Sequence, residues 1–270
     1  MRFSHGLLLT GMTLLSARSL TGHPDDADHR AALDALIASV PDSADLYLRR
    51  AAHSADHRQW AEAESDLRRA AQLEPNSAKV RVVSGRIYLA AGKLREARNQ
   101  LDSALATVPA QPEALVLRAR VHSQLGEINA AHTDYNSVIA LLEEPSPSLY
   151  LERAALPIAS LAALRGLDDG IARLGPTPAL VERAIALELR LGRIDAALAR
   201  LDLLAAHAER KEVFLKRRGD LFALAGRATE ARGAYLQALA SLEALPNWLR
   251  DSAESTRLLL ELKRLAHSTT

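Results

Sequence analysis

The sequence predicts an all-α fold in which antiparallel helix pairs recur along the chain, and two observations support this prediction. First, 51 Ala and 49 Leu supply 100 of the 270 residues, whereas aromatic residues make up only 4%. Ala and Leu are strong helix formers, and strands favour the β-branched and aromatic residues. Second, several residue types return at a constant spacing along the chain, which is typical of a solenoid built from helical hairpins.

The recurrence is clearest at a glycine that ends a helical segment. Gly92 and Gly126 are 34 residues apart, as are Gly192 and Gly226. An alanine stands five residues after each glycine, Ala63 extends the series backwards, and four residues further on comes a large apolar residue: Leu67, Leu101, Tyr135, Leu201 and Tyr235. We expect each glycine to close the first helix of a pair in a left-handed conformation, and each alanine to allow close approach of the second.

These features resemble the tetratricopeptide repeat, whose pattern is W-x2-L-G-x2-Y…A-x3-F…P. The segment from residue 80 to 109 matches best, with these residues at the expected positions: Gly85, Tyr88, Gly92, Ala97, Leu101, Ala104 and Pro109. The resemblance implies a right-handed α-solenoid of about six helix–turn–helix repeats over residues 41–246. Two departures are Arg58, where glycine is usual, and Ile185, where a small residue is usual and looser packing is therefore expected.

The fourth repeat, residues 147–177, is the least regular. We predict a long first helix from Leu149 to Arg165 that contains Pro157, and a second helix that is cut short before Gly175. Because proline disrupts the interior of a helix, a kink or an altered stacking angle is expected there.

The two ends of the array should be capped. Residues 23–40 are interpreted as a partial repeat, with a flexible lead-in at 23–28 and an unpaired second helix at 28–40. Residues 247–270 are interpreted as one long capping helix, whose apolar members cover the core of the last repeat: Trp248, Leu249, Leu258, Leu259, Leu262 and Leu265.

Residues 1–22 are interpreted as a signal peptide and lead-in. A mostly apolar run from Gly6 to Ala17 follows Arg2, and this run is short for a bilayer span and typical of a signal-peptide core. Cleavage is expected near Ser19 or Gly22, giving a periplasmic or secreted protein without a membrane span; the alternatives are a mis-assigned start or a frayed apolar terminus. The excess of Arg over Lys, 29 to 5, suggests a bacterium with a GC-rich genome.

Composition excludes several classes of function. The chain has no Cys, which excludes disulfides, thiolate zinc sites and iron–sulfur clusters. A net charge of +1 gives no basic excess for nucleic acid. Phosphate-binding and nucleophile-elbow motifs are absent from the sequence, so we expect neither an enzyme nor a cofactor. His53 and His57 have the i, i+4 spacing of a zinc pair, but no motif supplies a third ligand, so no metal is expected.

By the same resemblance, the first helices line a concave groove that receives a peptide or a partner helix. In the second and third repeats the groove-facing positions are Lys79, Val82, Arg86, Leu89, Glu113, Val116, Arg120 and Ser123. In later repeats they are Ser148, Leu151, Glu182, Leu189, Lys216 and Asp220. The cations Lys79, Arg86 and Arg120 suggest binding of an acidic peptide or a free C-terminus. Alternatively, they are ordinary solvated charges neutralised by Glu113.

The sequence therefore favours a non-enzymatic scaffold that binds a protein or peptide of unknown identity in the groove. A second hypothesis is a structural component of an assembly or secretion complex, which docks through its convex face or its C-terminal helix. A third is an enzyme, or a metal-binding module built on His53 and His57. A receptor for chaperone tails is not expected, because the groove positions that hold Asn in such receptors carry Ala52, Arg86, Arg120 and Ala155.

Overall fold

The computed structural model describes residues 24–206 and 208–268, and in this part of the chain it contains fifteen α-helices and no strand. The predicted all-α class is therefore confirmed, while the predicted signal peptide lies outside the described residues. The helices are α1 Pro24–Ser39, α2 Ala44–Asp56, α3 Trp60–Leu73, α4 Ala78–Ala90, α5 Leu94–Thr107, α6 Pro112–Leu125, α7 Ile128–Leu141, α8 Pro147–Ala155, α9 Ser160–Leu174, α10 Pro178–Arg190, α11 Ile194–Ala205, α12 Lys211–Leu224, α13 Ala228–Glu243, α14 Asn247–Arg250 and α15 Ala253–Ser268.

The chain divides into two compact units, of which the first ends at Asn76. In this unit α2 and α3 form a helix pair, and α1 packs against α2. The core includes Leu33, Ala51 and Ala63, all buried. Helix α1 begins at Pro24, so the prediction of a flexible lead-in up to residue 28 is wrong.

The second unit begins at Ser77 and contains five further pairs, α4–α5, α6–α7, α8–α9, α10–α11 and α12–α13. With α2–α3, this gives the six predicted repeats. The predicted left-handed turn is confirmed, because φ is +74° at Gly92, +77° at Gly126, +70° at Gly192 and +72° at Gly226. Arg58 adopts the same conformation in the first unit, with φ +57°.

Small residues bring the two helices of a pair into close contact. The alanines that open each second helix are fully buried: Ala63, Ala97, Ala131, Ala197 and Ala231. A Cβ atom added at Gly85 would lie 2.6 Å from Cγ of Leu101, and one added at Gly219 would lie 2.4 Å from Cε1 of Tyr235. The predicted close approach is therefore present at both pairs.

The fourth repeat differs from its prediction. Its first helix, α8, ends at Ala155, and Leu156 is extended, with φ −58° and ψ 146°. The residue before a proline disfavours the α conformation, and proline cannot donate a helical hydrogen bond, so Pro157 ends the helix instead of bending it. The second helix, α9, is correspondingly complete, with 15 residues up to Leu174.

The C-terminal helix is also interrupted, between α14 and α15. The side chain of Ser252 accepts a hydrogen bond from the backbone N–H of Ser255 at 3.2 Å, which stabilises the start of α15. Leu262 is buried against the last pair, as predicted, but Trp248 is 77% exposed and does not cover the core. None of the described helices is long and apolar enough to cross a membrane.

Candidate functional site

Most of the predicted partner-binding residues lie at accessible positions on α4 and α6. Lys79, Arg86 and Glu113 are exposed, while Leu89, Val116 and Ser123 are half-buried, and we call these six residues the α4–α6 surface. Nη1 of Arg86 lies 3.9 Å from Oε1 of Glu113, so this ion pair is loose. The surface therefore combines charges of both signs with partly accessible apolar side chains.

Val82 does not belong to this surface. Its side chain is 2% exposed and packs in the core with Leu101 and Leu105. Helix α4 packs against both α5 and α6. A position that would face solvent on a helix with one neighbour is therefore buried on α4. The prediction that Val82 contacts a ligand is therefore wrong.

Arg120 is paired within the protein. Its Nε and Nη2 atoms donate to the two carboxylate oxygens of Glu152 on α8, both at 2.8 Å, and the hydroxyl of Tyr135 donates to the same carboxylate at 2.9 Å. The hydrogen bonds from Arg120 lower the pKa of Glu152, and burial raises the pKa of Tyr135. A ligand carboxylate would have to displace Glu152, so the expected role of Arg120 in binding an acidic peptide is not supported.

The corresponding positions of later repeats are also linked by ion pairs. Glu182 receives two hydrogen bonds from Arg217, and Lys216 contacts both Asp220, at 3.0 Å, and Glu261, at 3.1 Å. The hydroxyl of Tyr235 donates to Asp220, and burial raises the pKa of Tyr235 to about 12. The charges at these positions are therefore engaged within the protein.

A second set of arginines, which the sequence analysis missed, joins first helices to second helices. Arg118 donates to Asp134 through Nε and Nη2, both at 2.8 Å, and to Asp102 through Nη1 at 2.9 Å. Each acid lies 16 residues from the arginine. Asp134 is buried, and its hydrogen bonds raise the pKa of Arg118 above its usual value. We call this arrangement the arginine clamp.

The clamp recurs in the first repeat with the same atoms. Arg50 donates to Asp66 through Nε at 2.8 Å and Nη2 at 2.7 Å, and to Asp34 through Nη1 at 2.7 Å. Arg50 and Arg118 stand at the same position of repeats one and three. The sequence contains a signal for this clamp. An arginine has one aspartate 16 residues before it and another 16 residues after it, and the same arrangement returns two repeats later.

Two further repeats carry variants of the clamp. In the fourth repeat, Arg153 donates to Oδ1 of Asn136 at 2.7 Å and to the carbonyl of Gly166 at 2.9 Å. In the fifth repeat the charges are exchanged, because Arg200 on the second helix binds the buried Glu188 of the first, at 3.1 and 3.0 Å. Each variant again gives an arginine an acceptor on another helix.

The sixth repeat keeps only half of the clamp. Arg218 occupies the clamp position, and its Nη1 donates to Asp202 on α11 at 3.1 Å. The second-helix position that holds Asp66 in the first repeat and Asp134 in the third carries Ala234. Its neighbour Tyr235 follows the register, since tyrosine also stands at 135.

Histidines do not form a metal site in the described part of the chain. The rings of His53 and His57 lie 4.7 Å apart between centroids, and His29 on α1 approaches His53 at 5.3 Å. Nevertheless, the described residues include no group of three or more His, Asp or Glu side chains arranged to hold a metal ion.

Comparison with known proteins agrees with this geometry. Residues 54–121 match the family model described as Tetratricopeptide repeat, and no curated protein matches the chain. A tetratricopeptide repeat protein from Parabacteroides merdae is similar over 88% of this chain and 93% of its own, with 17% identity and a TM-score of 0.52. Pseudomonas aeruginosa pilF is similar over 86% and 99%, with 13% identity and a TM-score of 0.51.

Yeast Tom70 is similar over 80% of this chain and 44% of its own, with 15% identity and a TM-score of 0.51. At such identities these likenesses show the fold alone. The resemblance to tetratricopeptide repeats that the sequence suggested is confirmed.

Proposed function

We propose that this chain, which has the tetratricopeptide repeat fold, is a non-enzymatic scaffold that binds a protein or peptide partner through the α4–α6 surface. Proteins of this architecture present extended surfaces to partners. The main support is the mixed character of this surface on two adjacent first helices. Arg86 and Glu113 are exposed there, and the apolar side chains of Leu89 and Val116 are half-buried beside them. Partly accessible apolar side chains inside a charged rim are characteristic of protein interfaces.

The loose ion pair on this surface supports binding of a partner with mixed charge. At 3.9 Å and half exposed, the Arg86–Glu113 pair is weakly coupled and can exchange partners at low cost. Arg120, in contrast, is held by Glu152 through two hydrogen bonds. We therefore favour a partner that offers both an acid and a base over a uniformly acidic peptide.

Charge reversal tests this proposal. The double variant Lys79→Glu with Arg86→Glu alters the surface, while Arg95→Glu with Arg232→Glu makes the same charge change at exposed positions on second helices. All three forms should show the same helicity by circular dichroism. Each form is used to capture proteins from a lysate of the native host, and the captured proteins are quantified by mass spectrometry. The amount of a subset of them should fall roughly tenfold with the first variant only. An identical set of captured proteins with all three forms would refute the proposal.

A second candidate is docking through the C-terminal helices, and Trp248 favours it. This side chain on α14 is 77% exposed, and tryptophan is enriched among the residues that dominate binding energy. Trp248→Ala should lose a binding partner. The control Leu224→Ala alters an exposed leucine on α12 and should retain that partner. Equal capture by both variants would exclude this candidate.

Export remains a proposal that rests on the apolar run of residues 6–17. If the signal is cleaved near Ser19 or Gly22, protein isolated from its native host begins after one of these residues. N-terminal sequencing or intact-mass measurement decides the question, and an intact Met1 would contradict the proposal.

A further inference from the structure

Arg218 differs from the complete clamps in having hydrogen-bond donors without acceptors. In the first and third repeats, Nε and Nη2 of the arginine both donate to an aspartate on the second helix. In the sixth repeat Ala234 stands in place of that aspartate, and Arg218 bonds only to Asp202, through Nη1. Within the described residues, Nε and Nη2 of Arg218 have no acceptor. Its side chain is accordingly 40% exposed, against 23% for Arg118.

A cleft lies where the missing carboxylate would be. Its volume is about 330 Å³, and Arg218 lines it together with Ala234 and Gly233, two small residues that leave the space open. Phe222 forms another wall, with its ring centroid 5.8 Å from Cζ of Arg218. Glu230 and Gln237 also border the cleft, and Oε1 of Glu230 accepts two hydrogen bonds from Arg227. The unsatisfied groups of Arg218 in this cleft are therefore donors, which favour an anion.

A second cleft of about 310 Å³ begins at the same arginine and lies between α11 and α12. Leu201, Phe214 and Leu215 give it an apolar wall. Asp202 and Lys211 also line this cleft, and Lys211 is exposed and without an ion pair among the described residues. Arg218 thus lines both a space suited to a carboxylate and a space with an apolar wall.

We propose that Arg218 binds a carboxylate of a partner peptide in the cleft beside Ala234, in the way that Arg118 binds Asp134. An apolar side chain next to that carboxylate occupies the cleft between α11 and α12. The two parallel hydrogen bonds that an arginine makes to a carboxylate give the site its specificity. The inference rests on the proposed function in taking the partner to be a peptide, but it uses α11, α12 and α13 in place of the α4–α6 surface.

Peptide binding tests the site directly. The probe is acetyl-Leu-Asp-Leu-amide, and its neutral match is acetyl-Leu-Asn-Leu-amide, each titrated into the full-length 15N-labelled protein. The aspartate peptide should shift the Nε–H signal of Arg218 and the backbone amide signals of Gly233 and Ala234. The asparagine peptide should bind roughly tenfold more weakly, because it lacks the charge-assisted hydrogen bonds. Equal binding of the two peptides would overturn the proposal.

Variants assign the binding to its residues. Arg218→Gln should lose the aspartate peptide, while Arg232→Gln, a matched change at an exposed arginine on α13, should retain it. Equal affinity of the two variants would overturn the proposal. The double variant Lys79→Glu with Arg86→Glu should bind the peptide as the unmodified protein does. Loss of binding there would place the peptide on the α4–α6 surface, contradicting this inference while supporting the proposed function.

Ala234→Asp restores the clamp from within the chain. It should abolish binding of the aspartate peptide and raise Tm by about 2–4 °C, because the new carboxylate satisfies Arg218. Ala234→Asn has nearly the same size without the charge and should leave Tm at or below that of the unmodified protein. A Tm for Ala234→Asp no higher than that of Ala234→Asn would show that the cleft does not offer the clamp geometry.

Discussion

The third and sixth repeats have an arginine at the same position of the first helix and a tyrosine at the same position of the second. The hydrogen-bond partners of the arginine nevertheless differ. Arg118 is enclosed by Asp102 and Asp134, whereas Arg218 meets Asp202 on one side and Ala234 on the other. Where the second aspartate is present, the arginine serves stability. Where it is alanine, the alanine and the arginine line a cleft. A single position on the second helix thus decides whether the arginine is available to a ligand.

The largest expected effect is the difference between removing these two arginines. Arg118→Met removes both hydrogen bonds to the buried Asp134, which keeps only His122 at 3.8 Å, and should lower the free energy of unfolding by about 3 kcal/mol. Arg218→Met removes one hydrogen bond to an exposed aspartate and should cost less than about 1 kcal/mol. Urea unfolding followed by circular dichroism measures both, and equal losses would contradict the distinction between the repeats.

The closeness of the helices differs between the same two repeats. The third has Ala119 beside Tyr135, while the sixth has Gly219, where a Cβ would lie 2.4 Å from the ring of Tyr235. Gly219→Ala should therefore destabilise the protein by about 1–3 kcal/mol, measured as a shift in the urea midpoint.

Gly233→Ala is the control for this change. It lies in the next helix, and apart from its chain neighbours and the backbone of its own helix no atom lies within 4 Å of its added Cβ. Its effect should be neutral or slightly stabilising, since alanine is the better helix former. If both substitutions destabilise equally, close packing at Gly219 is not the cause.

A smaller effect concerns the ion pair that occupies Arg120 in the third repeat. The hydrogen bonds from Arg120 lower the pKa of Glu152 in the folded protein, so the carboxylate contributes stability above its unfolded pKa and loses it as the pH falls through the folded value. Glu152→Gln should cost about 1 kcal/mol near neutral pH, and the difference should shrink as the pH falls below the unfolded pKa of about 4.3 and disappear once the pH is below the lowered pKa of Glu152. Thermal unfolding across this range measures it; a difference independent of pH would contradict the assignment.

The smallest effect compares the turn of the first repeat with the turns of the others. Arg58 adopts φ +57° where four other repeats have glycine with φ from +70° to +77°. Arg58→Gly should raise the free energy of unfolding by about 0.5–1 kcal/mol, because glycine adopts this conformation without a Cβ clash. Gly92→Ala should have the opposite sign, and a Tm comparison checks both. Destabilisation by Arg58→Gly would mean that the arginine side chain compensates for its backbone conformation.

Sequence reasoning anticipated the fold well because the features that recur in each repeat act locally. Gly92 indicates a left-handed turn and Ala97 indicates close approach of two helices, and each depends only on residues nearby in the chain. The structure has both features at the predicted positions. Pro157 was misplaced because helical spacing continued on both sides of it, while the backbone preference of Leu156 ended the helix. Local pattern thus predicted helices better than it predicted their interruptions.

The candidate site was less predictable, because it depends on contacts between repeats. Val82 was assigned to the surface by register, but neighbouring helices bury it. The partner of Arg120 is 32 residues away, and the carboxylates of the clamp are 16 residues from their arginine. Residues so far apart in the chain can be recognised as contacts only when the packing of the helices is known. The importance of Ala234 emerges from comparison with Asp134, since alanine alone carries no functional signal.

Ala234 occupies the carboxylate position of the Arg218 clamp, and a double-mutant cycle measures whether a carboxylate there would couple to Arg218. The free energy of unfolding is measured for the unmodified protein, Arg218→Met, Ala234→Asp and the double variant. We expect the stabilisation from Ala234→Asp to depend on Arg218, with a coupling energy of at least about 1 kcal/mol. Additive effects, with no coupling, would contradict it.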